Sequence, residues 1–208
     1  MRVDVLMALV VVFLIFMLLV VIVLPINEAA RQRAKRMACV YNLKQVGLAA
    51  RIWEGDNNNK YPMAVSVTNG GGMELAVTGN AAVIFQVMSN KLATSRVLIC
   101  PADDDHTFAT NFQNDFNSSH ISYFVNPDAS ETYPQMIMFG DDNLATNGVP
   151  VGSGLLTITP TTLVSWTSAR HKYCGNIAFA DGSVAEESNQ SMTNWVGGTD
   201  FTNRIAIP

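Results

Sequence analysis

The stretch VDVLMALVVVFLIFMLLVVIVL, residues 3–24, decides how the rest of the chain is read. From position 5 to position 24 it holds twenty consecutive apolar residues with no charge, Gly or Pro. At 1.5 Å of rise per residue such a helix covers the ~30 Å hydrocarbon core of a bilayer. A core helix of a water-soluble protein rarely needs an apolar run this long. A cleaved secretory signal would have a shorter apolar centre and an Ala-x-Ala-like site after it. Here Pro25-Ile26-Asn27-Glu28 follows and the helical pattern resumes. The expectation is therefore a retained transmembrane segment over 5–24.

Working outward, Pro25 is expected to kink the helix rather than end it, because strong helix formers (Glu28, Ala29, Ala30, Gln32, Ala34) lie beyond it. At 100° per residue Cys39, Leu43, Val46, Ala50 and Trp53 share one side, and Met37, Tyr41, Leu48 and Ile52 share another. One apolar face can lie on the rest of the protein; the other is either covered by the same head or open to a partner. Gly55 and Asn57-Asn58-Asn59 favour left-handed and turn backbone, and Tyr61-Pro62 forces extended chain, so the helix should stop near Gly55. This divides the chain into an N-terminal helix, 1–54, and a head domain, 55–208, long enough to bury its own core.

Charge is unevenly distributed. Residues 1–60 carry eight Lys/Arg against four acids and the remainder five against thirteen. An acidic head argues against nucleic acid as a partner. Arg31, Arg33, Lys35 and Arg36 follow the span while only Arg2 precedes it, which by the positive-inside rule would put the head in the cytoplasm. The head's wealth of Asn, Thr, Ser and Gly, and the resemblance described below, point instead to an extracytoplasmic, periplasmic head.

In the head, 81–93 reads as a second helix, and 96–100, 121–125, 135–139 and, more weakly, 155–159 read as strands. Residues 176–180 and 183–186 flank Asp181-Gly182, a strong hairpin signal. The pattern predicts an α+β fold: a long kinked N-terminal helix, half transmembrane and half amphipathic, packed on an antiparallel sheet. Three cysteines, Cys39, Cys100 and Cys174, form no Cys-x-x-Cys pair, which excludes a zinc ribbon or thioredoxin-like motif. They admit one disulfide and a free thiol in an oxidising compartment, or three packed thiols in a reducing one.

Three segments carry a resemblance. The run from Arg33 to Ala49 after an apolar helix ending in Leu-Pro, the segment Ile99-Cys100-Pro101-Ala102-Asp103, and His171 followed after nine residues by Asp181-Gly182 occur in that order. Together they resemble bacterial type IV pilin-like proteins and type II secretion pseudopilins with an H-x9-D-G head. The resemblance implies a prepilin-derived, non-enzymatic subunit. It would assemble through its apolar helix into a filament or pseudopilus, with copies of itself, other pilin-like subunits, secretion machinery and the inner membrane as partners. It also implies Cys39–Cys100 as the disulfide, since both lie in family-like elements; Cys100–Cys174 is the alternative pairing. Family members begin with a Gly-Phe-Thr-Leu-Ile-Glu type site, whereas Met7-Ala8 stands where isoleucine and glutamate would be. Asp4 is the nearest carboxylate to take the assembly acid's part; otherwise it is an interfacial residue beside Arg2. Without that site, a non-polymerising, single-pass anchored surface or binding protein is the second function class.

Two oxygen-rich loops, Asp103-Asp104-Asp105-His106 and Asp141-Asp142-Asn143, invite the expectation of Ca²⁺ held by Asp103, Asp104, Asp141 and Asp142, although neither has EF-hand spacing. His171 is expected to tie the loop before the hairpin to the Asp181-Gly182 turn. Its reading as a general base oriented by Asp181 lacks a nucleophile motif.

Overall fold

The structure, a computed structural model, describes residues 2–159, 161–189 and 203–208. Helix α1 runs without a break over Arg2–Asp56, through position 25. Two arrangements end it. Asn57 and Asn59 return their amides to the Glu54 carbonyl at 2.9 and 3.1 Å, and Asn58 and Asn59 take left-handed backbone at φ 56° and 55°, a conformation asparagine tolerates better than most residues.

By packing, the chain forms two compact units, residues 1–35 and 36–208. The second unit takes in α1 from Arg36 onward, so that half of the helix packs with the sheet. In the first unit the apolar residues from 5 to 24 are exposed, apart from half-buried Val20. This segment is long and apolar enough to cross a membrane, with a mean hydropathy of 3.6.

In the second unit, α1 residues 36–56 present Cys39, Leu43, Val46, Ala49, Ala50 and Trp53 to the core. The other apolar stripe, Met37, Tyr41, Leu48 and Ile52, lies between 45% and 68% exposed, so the head covers one face and leaves the second open. Short helices α2, Met73–Ala76, and α3, Ala81–Val87, follow. Helix α3 is shorter than the expected 81–93 and passes into a 3-10 turn at Ser89–Lys91.

The sheet strands are β1 Tyr123–Val125, β2 Ile137–Asp141, β3 Leu144–Thr146, β4 Val149–Pro150, β5 Gly154–Ile158, β6 Val164–Trp166, β7 Cys174–Phe179, β8 Val184–Ser188 and β9 Asn203–Ile207. A six-stranded antiparallel sheet has the order β5-β9-β1-β2-β7-β8, and a three-stranded one β4-β3-β6. Alternation along the strands divides the interior in two. Tyr123, Val125, Ala178 and Ala206 face the cluster built on α1 and α3. Phe124, Ile177, Phe179, Ile205 and Ile207 face a second cluster centred on Trp166. Gly175 admits that indole: a Cβ there would lie 2.4 Å from Trp166 Cε3. The head is thus α+β, with apolar cover on both faces of its main sheet.

One expected strand is absent. Residues 96–100 do not join a ladder; Ser95–Leu98 forms a 3-10 turn with Thr94 as its cap. The polar groups there are committed elsewhere. Ser122 N–H donates to the Leu98 carbonyl at 2.8 Å, Asn42 Nδ2 to the Ile99 carbonyl at 2.9 Å, and Cys100 N–H to Ser122 Oγ at 3.0 Å. The β7–β8 hairpin forms where expected, with the loop 180–182 closed by Phe179 N–H to the Ser183 carbonyl at 2.9 Å. Gly182 supplies its positive φ of 85°.

The two faces of α1 should respond differently to truncation. Leu43→Ala is expected to cost about 2–5 kcal/mol, as for a fully buried leucine. Leu48→Ala should stay within about 0.5 kcal/mol. Denaturant unfolding of the detergent-solubilised chain measures both; equal losses would contradict the assignment of the faces.

Candidate functional site

Four elements bring a cluster of polar side chains together under α1. Cys39 comes from the helix, Cys100 from the segment after the 95–98 turn, Asp141 and Asp142 from the end of β2, and Arg170 and His171 from the loop before β7. Cys39 and Cys100 are joined by a disulfide across a sequence separation of 61 residues; Cys174 is the free cysteine. His171 Nε2 lies 3.3 Å from Cys100 Sγ and 3.6 Å from Asp141 Oδ2.

The acids expected to hold Ca²⁺ divide. Asp104 is exposed, while Asp103, Asp141 and Asp142 are buried and surround a cation of the chain's own. The Arg170 guanidinium is 2.6 Å from Asp103 Oδ2 and 2.5 Å from Asp142 Oδ1, and it also donates to the Ser122 carbonyl at 2.9 Å. Asp103 receives Ser122 Oγ–H at 2.6 Å and contacts His106 Nδ1 at 2.8 Å. Asp141 Oδ2 accepts from the Asn176 backbone and side-chain amides at 2.8 and 2.9 Å. A guanidinium shared between two buried carboxylates balances charge that the sequence pattern had suggested for a divalent ion.

Environment separates the titrations. Burial would raise Asp103, but the His106 and Ser122 hydrogen bonds and the Arg170 charge outweigh it and hold its carboxyl well below the usual range. Burial pushes Asp141 up to about 7, against the opposing pull of Arg170 and the Asn176 amides. His171 is lowered to about 4, first by burial and then by the Arg36 and Arg170 charges. Near neutral pH the imidazole is therefore uncharged. Its neighbour Cys100 Sγ is bound in a disulfide, so the arrangement holds no nucleophile–base pair.

His171 and Asp181-Gly182 do not meet as the expected tie. Asp181 Oδ1 accepts from Ser183 N–H at 2.8 Å in its own loop and Oδ2 from Gln135 Nε2 at 3.4 Å, while His171 faces the disulfide. Both ends of the segment are instead clamped to α1. Arg36 donates to the His171 carbonyl at 2.8 Å and to Glu186 at 2.8 Å, and Arg51 Nη1 donates to the Asp181 carbonyl. Asp4 lies in the first turn of α1, in the other unit. Sequence reasoning missed Arg36, Arg51 and Arg170. The signal for the last was present: it is one of five basic residues in the acidic part of the chain and stands next to His171.

Comparison of the chain with protein-family models, with characterised proteins and with solved structures gives no match.

Arg170→Met should cost about 3–5 kcal/mol, because it strands buried carboxylates without their cation. The pH dependence of unfolding separates Asp141 from His171. Asp141, raised in the fold, contributes stability present below the ordinary aspartate value of 3.8 and lost as pH rises through about 7. His171, lowered in the fold, contributes stability present above the ordinary histidine value of 6.5 and lost as pH falls through about 4. The two oppose each other between about pH 4 and pH 7. Relative to the parent chain, His171→Asn should lose stability as pH rises through that window and Asp141→Asn should gain it, as read by denaturant midpoints at a series of pH values.

Proposed function

We propose that this chain is a pilin- or pseudopilin-like structural subunit. Its N-terminal apolar helix would enter a helical assembly, and its head would face the extracytoplasmic side of a bacterial inner membrane. One observation carries the reading. An apolar segment with exposed side chains continues, in one unbroken helix, into a head that leaves a further apolar stripe of the same helix uncovered. In a filament of copies, apolar side chains exchange lipid or water for protein. The Cys39–Cys100 disulfide supports an oxidising, extracytoplasmic location for the head. Partners on this reading are other copies of the chain, other pilin-like subunits, secretion machinery and the membrane. The cluster under α1 serves as a cross-link rather than a catalytic centre.

A second reading, a non-polymerising anchored surface or binding protein, is favoured by Met7-Ala8 at the position where the family's isoleucine and glutamate would stand. Electron microscopy of cells expressing the tagged chain, together with the N-terminal sequence of the isolated protein, distinguishes the two. The subunit reading expects labelled filaments that are lost in a Tyr41→Glu, Leu48→Glu variant whose unfolding midpoint is unchanged. Label confined to membrane monomers with an unmodified Met1 would overturn it in favour of the anchor.

A further inference from the structure

Cys39 Sγ, Cys100 Sγ and His171 Nε2 all lie within 4.8 Å of one another, in a buried setting, and form the one such grouping of three metal-capable side chains among the described residues. We infer that these three residues are a site for a thiophilic divalent cation, with Zn²⁺ the natural occupant, which is available whenever the Cys39–Cys100 disulfide is open. Metal and disulfide are then alternative, mutually exclusive ways of fastening α1 to the head. This holds whether or not the chain polymerises.

The geometry suits it. Ligand atoms on one zinc, with bonds of about 2.0–2.3 Å, stand at most about 4.6 Å apart. His171 Nε2, 3.3 Å from Cys100 Sγ, already stands at such a spacing, while the two sulfurs, held together by their bond, must move apart to admit the ion once that bond is broken. The ligands come from three separate elements, so their approach is set by tertiary packing rather than by a local motif, and the absence of any Cys-x-x-Cys spacing does not count against it. His171 Nε2 faces Cys100 Sγ at 3.3 Å, and a neutral imidazole presents its lone pair from that nitrogen.

Charge allows the two fastenings to exchange. A disulfide is neutral, and so is Zn²⁺ with two thiolates and an imidazole, so either fits a buried pocket beside Asp141. Without metal, burial beside the carboxylates keeps the two cysteines as neutral thiols. Opening the bond takes two electrons and two protons from a dithiol, which leaves as a disulfide. The two new thiols then release both protons as Zn²⁺ binds. Closing reverses this: a disulfide-class oxidant takes two electrons from the thiolates and two protons from water and leaves as two thiols, the sulfur–sulfur bond re-forms and Zn²⁺ departs. A chain made in a reducing compartment meets the metal state first and the disulfide after export.

The test uses the full chain in detergent, carrying Cys174→Ser so that the third thiol cannot contribute. Zn²⁺ is titrated against a chromophoric chelator after dithiol reduction and removal of the dithiol under anaerobic conditions, and in parallel on the oxidised chain. The expected result is one equivalent bound tightly by the reduced chain and none by the oxidised chain. His171→Asn should weaken binding about tenfold or more, since even residues that merely support a ligand cost about ten- to a hundredfold. Should His171→Asn fail to fold, Co²⁺ added to the reduced and oxidised parent chain supplies the second readout: thiolate-to-cobalt charge-transfer absorption in the reduced form only. No binding by the reduced chain, equal binding by both forms, or a cobalt spectrum lacking thiolate charge transfer would overturn the inference.

Discussion

The line of contact between α1 residues 39–53 and the six-stranded sheet is the constraint on which the head depends. A main sheet in this fold has apolar side chains on both faces and needs cover on each. Trp166 and the small sheet β4-β3-β6 cover one face. On the other, α1 places Leu43, Val46, Ala50 and Trp53 against residues such as Ala178 and Ala180. The small side chains there matter: a Cβ at Gly47 would come within 4.0 Å of Ala178 Cβ and Gly182 Cα, so helix and hairpin lie close. The disulfide closes a loop of 61 residues onto this contact, a constraint on the unfolded chain worth about 3–5 kcal/mol in the loop-entropy account.

Around that contact the buried charges follow one logic. Arg170 stands between Asp103 and Asp142, and Asp142 is nonetheless raised, by burial first. The guanidinium is kept charged because its acids outweigh its own burial. Asp141, wholly enclosed, is likewise pushed up, to about 7, by burial first and against the pull of Arg170 and the Asn176 amides. The result is a polar seam that ties together the loops around the end of β2.

Much of this was legible in the residues. The span, the helix end at the asparagine run and the Asp181-Gly182 hairpin are local signals: apolar periodicity, left-handed propensity and turn chemistry. Strands β3, β4 and β6 were missed because each has only two or three residues, and β9 because its partners lie far back in the chain. Strand β9, for instance, inserts between β1 and β5, which no local pattern announces. The 96–100 segment misled for the opposite reason. Its Val-Leu-Ile run has strong β propensity, but Thr94 caps a turn there and Ser122 and Asn42 claim its backbone groups. At the candidate site, the acids were visible as loops and the two cysteines as family-like positions. Arg170's place between the acids arises only from tertiary packing, so the sequence pattern suggested a foreign cation where an internal one sits.

The position of Cys39 near the start of the second unit has a mechanical meaning. Tension arriving along α1 from its N-terminal side would reach the head at Arg36 and Cys39 before it reached Leu43 or Trp53. Arg36 transfers part of it to β8 and to the loop holding His171, and the disulfide transfers the rest covalently to Cys100. The apolar contacts further along the helix are thereby shielded. They are loaded only after a covalent bond, an ion pair to Glu186 and a hydrogen bond to the His171 carbonyl, acting in parallel, have yielded.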